Sequence, residues 1–264
     1  IVEMMDRILP NEDHEVSEEV EKNFKKSGIK ITKGVKVSKI QSIKQNAKVF
    51  LEKKASEEII KAEKVLLAVG VTGNTNNLGL EDLGIETEAG AIKTDNFNRT
   101  NIENIYAIGD VCGPPWLAHV ASAQGHLAAE HSAGLNVNPI DYSNIPGCTY
   151  CQPQVGSLGM TEEHALSSGF KVKVGRFSFQ ASGKAMAVGD TVGFVKLIFD
   201  EKYGELLGAH IVGSEATEMI AELGMAKALE GTWDDLSMTV HAHPTLSEAI
   251  MEAAMDAQGH SIHQ

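Results

Sequence analysis

The sequence predicts an α/β fold built from parts of doubly wound parallel sheets, followed by an α+β domain. Two runs, Val65–Gly70 and Ile105–Asp110, are apolar almost throughout and reach a glycine at their carboxyl ends. Such runs are typical of fully buried parallel strands. Helical patterns alternate with these runs, as they do in a doubly wound sheet. Past Asn138-Pro139 the strand patterns become mixed in polarity, which indicates a second kind of domain from about residue 140.

The first third of the chain predicts one helix and several strands. Residues 12–26 form the helix, because Val16, Val20 and Phe24 recur at i, i+4 and i+8, and Gly28 follows at the position of a C-terminal cap. Before it, Ile1–Glu3 has the pattern of the end of a strand. The β-rich runs after the helix cover residues 29–32, 35–43 and 47–53.

The rest of the chain predicts loops, then a helix, then a mixed domain. Residues 71–100 are rich in Asn, Thr and Gly and indicate mostly loop, and small residues predict a helix across 117–134. Beyond residue 147 we expect an antiparallel sheet with helices. Its strands cover 171–179, 192–200 and 205–212, and its helices cover 215–230 and 246–257. One helix face is apolar and is expected to need a partner surface at a two-fold interface: Ala216, Met219, Ile220, Leu223 and Ala226.

Charge and composition restrict the possible partners and compartments. The 264 residues carry 23 Lys and Arg against 36 Asp and Glu, a formal net charge of −13. This charge argues against a nucleic-acid backbone or an anionic membrane as the main partner. No apolar run approaches the ~20 residues of a membrane-spanning helix, and no signal-peptide pattern opens the sequence. Three cysteines do not make a disulfide scaffold, so we expect a reducing, cytoplasm-like compartment.

The stretch from His243 to Glu248 is the most informative for chemistry. A histidine just before a helix, with a carboxylate five residues later, can act as an oriented general base, because the carboxylate fixes which nitrogen carries the proton. A second interpretation needs no chemistry, since Thr245 and Glu248 have the spacing of a capping box. From spacing alone, both interpretations remain open.

Two other groups have the residue types of a metal or redox site. His241 and His243 would share one face of an extended segment, but no third ligand is evident, and no metal site is expected. Cys148 and Cys151 would point to opposite faces of a strand, and no second cysteine pair accompanies them. We therefore interpret both cysteines as structural.

Two carboxylates stand where α/β sheets bind ligands. Asp110 directly follows a predicted strand and a glycine, at the carboxyl edge of the sheet. The next helix presents free backbone N–H groups near Leu117, Ala118 and His119, which suits a ligand that gathers negative charge. Glu3, at the end of its strand, is placed to accept from a ribose hydroxyl. The alternative for Asp110 is an acid that only caps a turn.

These motifs together resemble the pyridine nucleotide–disulfide oxidoreductases. The motifs occur in the family's order across the whole chain, and they comprise Thr100, Ile105–Asp110, Trp116–His119 and His241–Glu248. The resemblance implies a homodimeric flavoprotein with FAD, NAD and interface domains. The residues around His243 favour the branch that oxidises dihydrolipoyl groups of 2-oxo-acid dehydrogenase or glycine-cleavage complexes. Glutathione and mercuric-ion reductases share the architecture.

The resemblance also implies boundaries for three domains. Residues 1–70 would complete the NAD-binding domain, 71–143 would be the second segment of the FAD-binding domain, and 144–264 would be the interface, or dimerisation, domain. The Gly-rich loops and the redox cysteine pair of the family are not among these residues, so we expect a fragment of a longer protein. The alternatives are another FAD-dependent disulfide or mercuric-ion reductase, and a non-catalytic dimerisation module. The expected compartment is the cytoplasm, or the mitochondrial matrix in a eukaryote.

Site roles follow from the same resemblance. His243 would take the thiol proton for the partner subunit's disulfide, and Glu248 would orient it. The cofactor-binding residues would be Gly109, Asp110, Trp116, Leu117, Ala118 and His119 for FAD, and Glu3, Val37 and Gly70 for NAD. Glu3 would favour NAD by repelling the 2′-phosphate of NADP. Gln124 departs from the family pattern, because an acid is common there.

Overall fold

The structure, a computed structural model, describes residues 1–53 and 56–263. Its contacts divide the chain into two compact units. The first unit joins Ile1–Val65 with Ser143–Gln264, and the second unit is Leu66–Tyr142. This division rests on contacts within the chain, so the boundaries 1–70, 71–143 and 144–264 stay a prediction.

The first unit opens with an isolated bridge and then a helix, of which the helix is as predicted. Val2 forms a parallel bridge with Thr32. Helix α1 spans His14–Lys26 and begins at Asp13, whose side chain accepts a hydrogen bond from the Glu15 N–H. Its buried face carries Val16 and Val20, which pack among residues of the later sheet.

A small antiparallel sheet follows α1. Its strands are β1 (Lys36–Ile43), β2 (Asn46–Lys53) and β3 (Ser56–Ala62), paired in that order. The sequence predicts β1 and β2. It misses β3, because Ile59 and Ile60 stand side by side among charged residues and show no alternation.

The second unit consists mainly of loop and one long helix, as predicted. Its short elements are α2 (Leu80–Leu83), β4 (Thr87–Glu88), β5 (Ala91–Ile92) and a 3₁₀ turn at Gly109–Cys112. Helix α3 spans Ala118–Ser132 and buries Val120 and Leu127. Residues from the short elements form a separate core around Leu80 and Ile92.

The prediction of two buried parallel strands is wrong for this chain. Leu66 and Val69 are 91% and 90% exposed, and Val65–Gly70 joins no ladder among the described residues. In the second run, Tyr106 makes only an isolated bridge with Arg99. An apolar run becomes a strand only when neighbouring strands offer hydrogen-bond partners along its length. Among the described residues, Val65–Gly70 has no such neighbour, and the second run has only short antiparallel contacts with residues 98–100.

A five-stranded antiparallel sheet dominates the rest of the first unit; the sequence predicts an antiparallel sheet here but only three of its strands. Its order is β6-β7-β10-β9-β8. The strands are β6 (Gly147–Thr149), β7 (Gln154–Gly159), β8 (Val172–Ser178), β9 (Phe194–Asp200) and β10 (Leu206–Gly213). Every residue of the central strand β10 is buried.

Five helices accompany this sheet. They are α4 (Glu162–Ser167), α5 (Gly183–Val188), α6 (Ala216–Ala228), α7 (Trp233–Met238) and α8 (Glu248–Ala257). Helix α8 lies very close to β8, because a side-chain carbon on Gly175 would fall 1.8 Å from the Ala253 carbonyl oxygen. None of the helices in the described ranges is both long and apolar enough to cross a membrane.

The apolar face of α6 packs inside its own subunit. Ala216, Met219, Ile220 and Leu223 are buried in one core with residues of β9, β10 and α8. The expectation that this face needs a partner surface is therefore wrong. The antiparallel sheet supplies that surface, which periodicity along one helix cannot reveal.

A buried group of charges attaches α1 to the sheet. Lys196 on β9 is 2% exposed, and its Nζ lies 2.9 Å from Asp13 Oδ1, 2.6 Å from Glu15 Oε1 and 2.8 Å from Glu162 Oε2. Burial by itself lowers the pKa of Lys196, but the hydrogen bonds to these three carboxylates raise it above its ordinary value. We call these four residues the Lys196 cluster.

Candidate functional site

The chain between α7 and α8 brings His243 against Glu248. His243 Nδ1 lies 2.9 Å from Glu248 Oε1. The other carboxylate oxygen accepts the Thr245 N–H at 2.8 Å, and the Thr245 hydroxyl donates to the Ala242 carbonyl at 2.7 Å. The carboxylate is thus held on both oxygens, and the turn that carries it is closed by its own hydrogen bonds.

The structure contains features of both interpretations of this motif, the oriented histidine and the capping box. Glu248 accepts the Thr245 N–H, as in half of a capping box. The Thr245 side chain donates to Ala242 instead of completing the box, and helix α8 is capped at Ser247. One carboxylate therefore fixes the start of the helix and the imidazole together.

The geometry defines where protons lie on His243. An ionised carboxylate only accepts hydrogen bonds, so Nδ1 carries the hydrogen, and in the neutral ring Nε2 has the lone pair. Burial raises the pKa of Glu248, but the hydrogen bonds from Thr245 and His243 outweigh it and hold that pKa below its ordinary value. The His243 side chain is 78% exposed, and Nε2 meets no hydrogen-bonding group in the described part of the chain. The arrangement can accept a proton from an external donor.

His241 does not share the environment of His243. Its side chain is 6% exposed, with Nε2 2.7 Å from Glu222 Oε1 and Nδ1 2.9 Å from the Thr239 carbonyl oxygen. Sequence reasoning missed Glu222, because it lies on α6 and no local spacing links it to His241. Across residues 1–53 and 56–263, no group of three or more His, Cys, Asp or Glu side chains is arranged to hold a metal ion.

Asp110 lies in the 3₁₀ turn of the second unit, with its side chain exposed. Gly109, in a left-handed conformation with φ of 73°, donates its N–H to Gln124 Oε1 at 2.7 Å. Gln124 is buried on α3, and its Nε2 donates to the Tyr142 hydroxyl at 2.8 Å. The sequence singled out Gln124 only as a departure from the family pattern, and it gave no signal for this contact.

The start of α3 has no side-chain cap. Leu117 caps the helix without a side-chain hydrogen bond, so the first backbone N–H groups of the helix have no acceptor from this cap. Ala118 and His119 are exposed. Trp116 is exposed as well and lines a groove of about 490 Å³ together with Gly73 and other residues of the second unit.

The residues expected on the NAD side lie in both units. Glu3 follows the bridge at Val2, and its Oε1 accepts the Met5 N–H at 2.8 Å. Val37 is on β1 in the same unit. Gly70 belongs to the second unit and has φ of 110°. The roles of these residues, and those of the FAD side, stay predictions.

The three cysteines are free thiols. Burial raises the pKa of Cys112 to about 11. It also raises the pKa of Cys148 and Cys151, although hydrogen bonds at each thiol oppose this effect. A thiol with a raised pKa is a poor nucleophile at neutral pH. These environments agree with the structural role expected for Cys148 and Cys151.

Comparison with known proteins assigns the family. Residues 1–125 match the sequence profile of the pyridine nucleotide-disulphide oxidoreductases, and residues 145–254 match the dimerisation domain of the same family. The chain belongs to this family. The predicted resemblance is therefore confirmed.

Several curated relatives are named dihydrolipoyl dehydrogenase. The chain is 47% identical over 261 residues to that of Rhizobium etli and 47% identical over 268 residues to that of Zymomonas mobilis. These alignments cover 98% and 100% of the chain but 54% and 57% of the relatives. The chain thus spans about half the length of the curated relatives it matches.

Solved structures share the fold. The structure of LpdA from Mycobacterium tuberculosis matches with a TM-score of 0.88 at 26% sequence identity. The match covers 96% of this chain and 55% of the LpdA chain. The HOCl-induced flavoprotein disulfide reductase RclA of Escherichia coli gives 0.88 at 25% identity, covering 96% and 58%. The predicted class, an α/β fold with a dimerisation domain, is confirmed.

Proposed function

We propose that this chain is part of a dihydrolipoyl dehydrogenase. Such an enzyme oxidises protein-bound dihydrolipoyl groups through an active-site disulfide and FAD, and it reduces NAD. The observation that carries the proposal is the His243–Glu248 pair, with Nδ1 bound to the carboxylate at 2.9 Å and Nε2 facing outward. Relatives of that name at 43% to 48% identity support it.

His243 performs the proton transfer in this proposal. Its Nε2 takes the proton of a dihydrolipoyl thiol, and the thiolate attacks the partner subunit's disulfide to form a mixed disulfide and release a cysteine thiolate. The second lipoyl thiol gives its proton to that cysteine thiolate and attacks the lipoyl sulfur of the mixed disulfide. The lipoyl disulfide closes, the bond to the other cysteine breaks, and both cysteines are left reduced, with the first proton on His243. Glu248 stabilises the imidazolium formed in the first step, because its charge faces Nδ1–H.

The second unit fits the flavin. The exposed Asp110 carboxylate has no hydrogen-bond partner within the described ranges, so it can accept bonds from ribityl hydroxyl groups. The start of α3, where no side chain caps the helix, can donate N–H groups to the edge of the ring that gathers negative charge. Bound FAD supplies the two-electron relay between dithiol and NAD.

The NAD side, the partners and the compartment belong to the same proposal. Glu3 accepts from the adenosine ribose and disfavours the phosphate of NADP, while Val37 and Gly70 line the site. The matched dimerisation domain supports a homodimer. Lipoyl domains of 2-oxo-acid dehydrogenase or glycine-cleavage complexes would be the substrates, and the cytoplasm the compartment.

The full-length protein tests this proposal against its family rivals. We expect a yellow flavoprotein that oxidises dihydrolipoamide with NAD, and with NADP far less well. Preferred NADPH-dependent reduction of glutathione disulfide or of Hg²⁺ would favour another reductase of the family. A colourless protein with no turnover would indicate a dimerisation module.

A further inference from the structure

His241 anchors an otherwise exposed segment of the chain. Among residues 238–244, His241 alone is not exposed at the surface, and its side chain is 6% accessible. Met238 is 80% exposed and Val240 is 95% exposed, so no apolar side chain of this segment packs into the core. We call residues 238–244 the strap. Its attachment to α6 is the polar contact of one imidazole with Glu222.

Both nitrogens of the His241 ring are occupied. The Thr239 carbonyl oxygen can only accept, so Nδ1, at 2.9 Å, carries a hydrogen. Nε2 lies 2.7 Å from Glu222 Oε1, within hydrogen-bond distance of that carboxylate. The ring is therefore held at both of its nitrogens and cannot rotate freely. A doubly held ring fixes the backbone that carries it.

The strap transmits this constraint to His243. Only Ala242 separates the two histidines, and its carbonyl accepts the Thr245 hydroxyl at 2.7 Å. The position of His243 is thus defined on one side by His241 and Glu222, and on the other by Glu248 and Thr245. Loss of the first attachment leaves the Glu248 contact intact but frees the backbone before it.

We propose that His241, together with Glu222, is a positioning residue for the base His243. This inference rests on the proposed function. Two titratable groups interact with the ring: Glu222 from α6 contacts it, and Glu248 from α8 interacts with it electrostatically. His241 and Glu222 orient the Nε2 atom of His243, and the Glu222 carboxylate adds a negative charge near it. Neither side chain touches the substrate.

The experiment uses the full-length holoenzyme with His241→Ala, Glu222→Gln, His243→Gln and the double variant His241→Ala/His243→Gln. The control is His14→Ala, because His14 also pairs with a glutamate, Glu18, at 3.6 Å on an exposed helix face. Readouts are kcat/KM for dihydrolipoamide with NAD from pH 5 to 9, NADH oxidation by ferricyanide, flavin content and dimer mass.

A positioning role predicts losses that depend on His243. We expect His241→Ala and Glu222→Gln to lower kcat/KM about tenfold or more and to shift its pH profile. Ferricyanide activity, flavin content and dimer mass stay at the values of the control. On the His243→Gln background, removing His241 costs less than about twofold, since the group it positions is gone.

Two results overturn the inference. One is a kcat/KM within about twofold of the control with an unshifted pH profile. The other is a loss of equal size with and without His243, which indicates general damage to the fold. Full activity of His243→Gln would remove the proposed base and this inference with it. If His243→Gln is strongly impaired while His241→Ala is unaffected, the positioning role of His241 is wrong and the proposed function stands.

Discussion

His243 and Glu248 are joined through a single carboxylate oxygen, at 2.9 Å, while the second oxygen is held by the Thr245 N–H. The imidazole therefore binds to a group that cannot turn away without losing a backbone hydrogen bond. This relationship separates the work of the two side chains. His243 would move the proton, and Glu248 would keep the ring in one tautomer and one direction.

Replacement of His243 tests the proton transfer directly. We expect His243→Ala to slow flavin reduction by dihydrolipoamide ~10²–10⁴-fold, the usual contribution of a positioned base. The measurement is stopped-flow absorbance on the full-length protein. Flavin content and dimer mass should not change, because the side chain is not proposed to bind flavin. A loss of turnover below about threefold, or an emptied flavin site, contradicts the role.

Glu248→Gln should be less damaging than His243→Ala. The amide keeps the size and one acceptor oxygen of the carboxylate, so part of the orientation survives while the charge is lost. We expect an intermediate rate in the same assay, and Glu248→Ala should be slower than Glu248→Gln. Equal rates for the two Glu248 variants would show that the hydrogen bond to Nδ1 has no part in orientation.

Acid should destabilise the first unit through Glu15. Hydrogen bonds from Arg176 are the main cause that lowers its pKa from 4.5 to about 2; Lys196 adds to them, and burial opposes them. Because the folded-state pKa is the lower one, the stabilisation is present above about pH 4.5 and is lost as the pH falls towards 2. Denaturant unfolding of Glu15→Gln should therefore depend less on pH in this window. Glu18→Gln, an exposed change on the same helix, should follow the unmodified chain.

Removal of Lys196 should be far more costly than removal of an exposed lysine. Lys196→Met leaves Asp13, Glu15 and Glu162 without their shared cation, and we expect a loss of ~3–5 kcal/mol in the free energy of unfolding. Lys22→Met removes an exposed pair with Glu19 and should cost at most ~1 kcal/mol. Urea unfolding of both variants gives the comparison. Similar midpoints would mean that the Lys196 cluster adds no stability.

Gln124 should tolerate an acid but not an apolar side chain. Gln124→Glu keeps an acceptor for the Gly109 N–H and can accept from the Tyr142 hydroxyl. Gln124→Leu leaves the Gly109 N–H unpaired at a cost of ~1–3 kcal/mol and should loosen the turn that carries Asp110. Flavin retention by the full-length protein, measured after dilution, should fall for Gln124→Leu alone. Equal retention in both variants would separate this contact from flavin binding.

Local sequence patterns predicted the local structure well. Helix α1 follows from the periodicity of apolar residues and α3 from a run of small residues, and α6 and α8 fall within the predicted ranges 215–230 and 246–257. The contact of His243 with Glu248 follows from a spacing of five residues. In each case, either the interacting residues are close in sequence, or the apolar face only has to pack against some hydrophobic core. Where the prediction of the α6 partner surface is wrong, the periodicity is correct and only the identity of the covering surface is missing.

Contacts between distant residues could not be predicted. Glu222 on α6 contacts His241 in the segment between α7 and α8, and Lys196 contacts Asp13 across a separation of 183 residues. The two apolar runs that begin at Val65 and Ile105 were predicted wrongly for the same reason, because their structure depends on residues distant in the sequence. Their composition suits parallel strands, but a strand also requires neighbours, and matching relatives extend to almost twice the length of this chain.

The Lys196 cluster has a consequence for biosynthesis. A ribosome makes α1 before the residues that cover it: the cation that Asp13 needs comes from residue 196, and Val155 and Val212 cover Val16 and Val20. All of Leu66–Tyr142 is synthesised in between. Contacts of such long range slow folding, because a large loop must close before they form. The native contacts of α1 therefore form only after the ribosome has passed Val212.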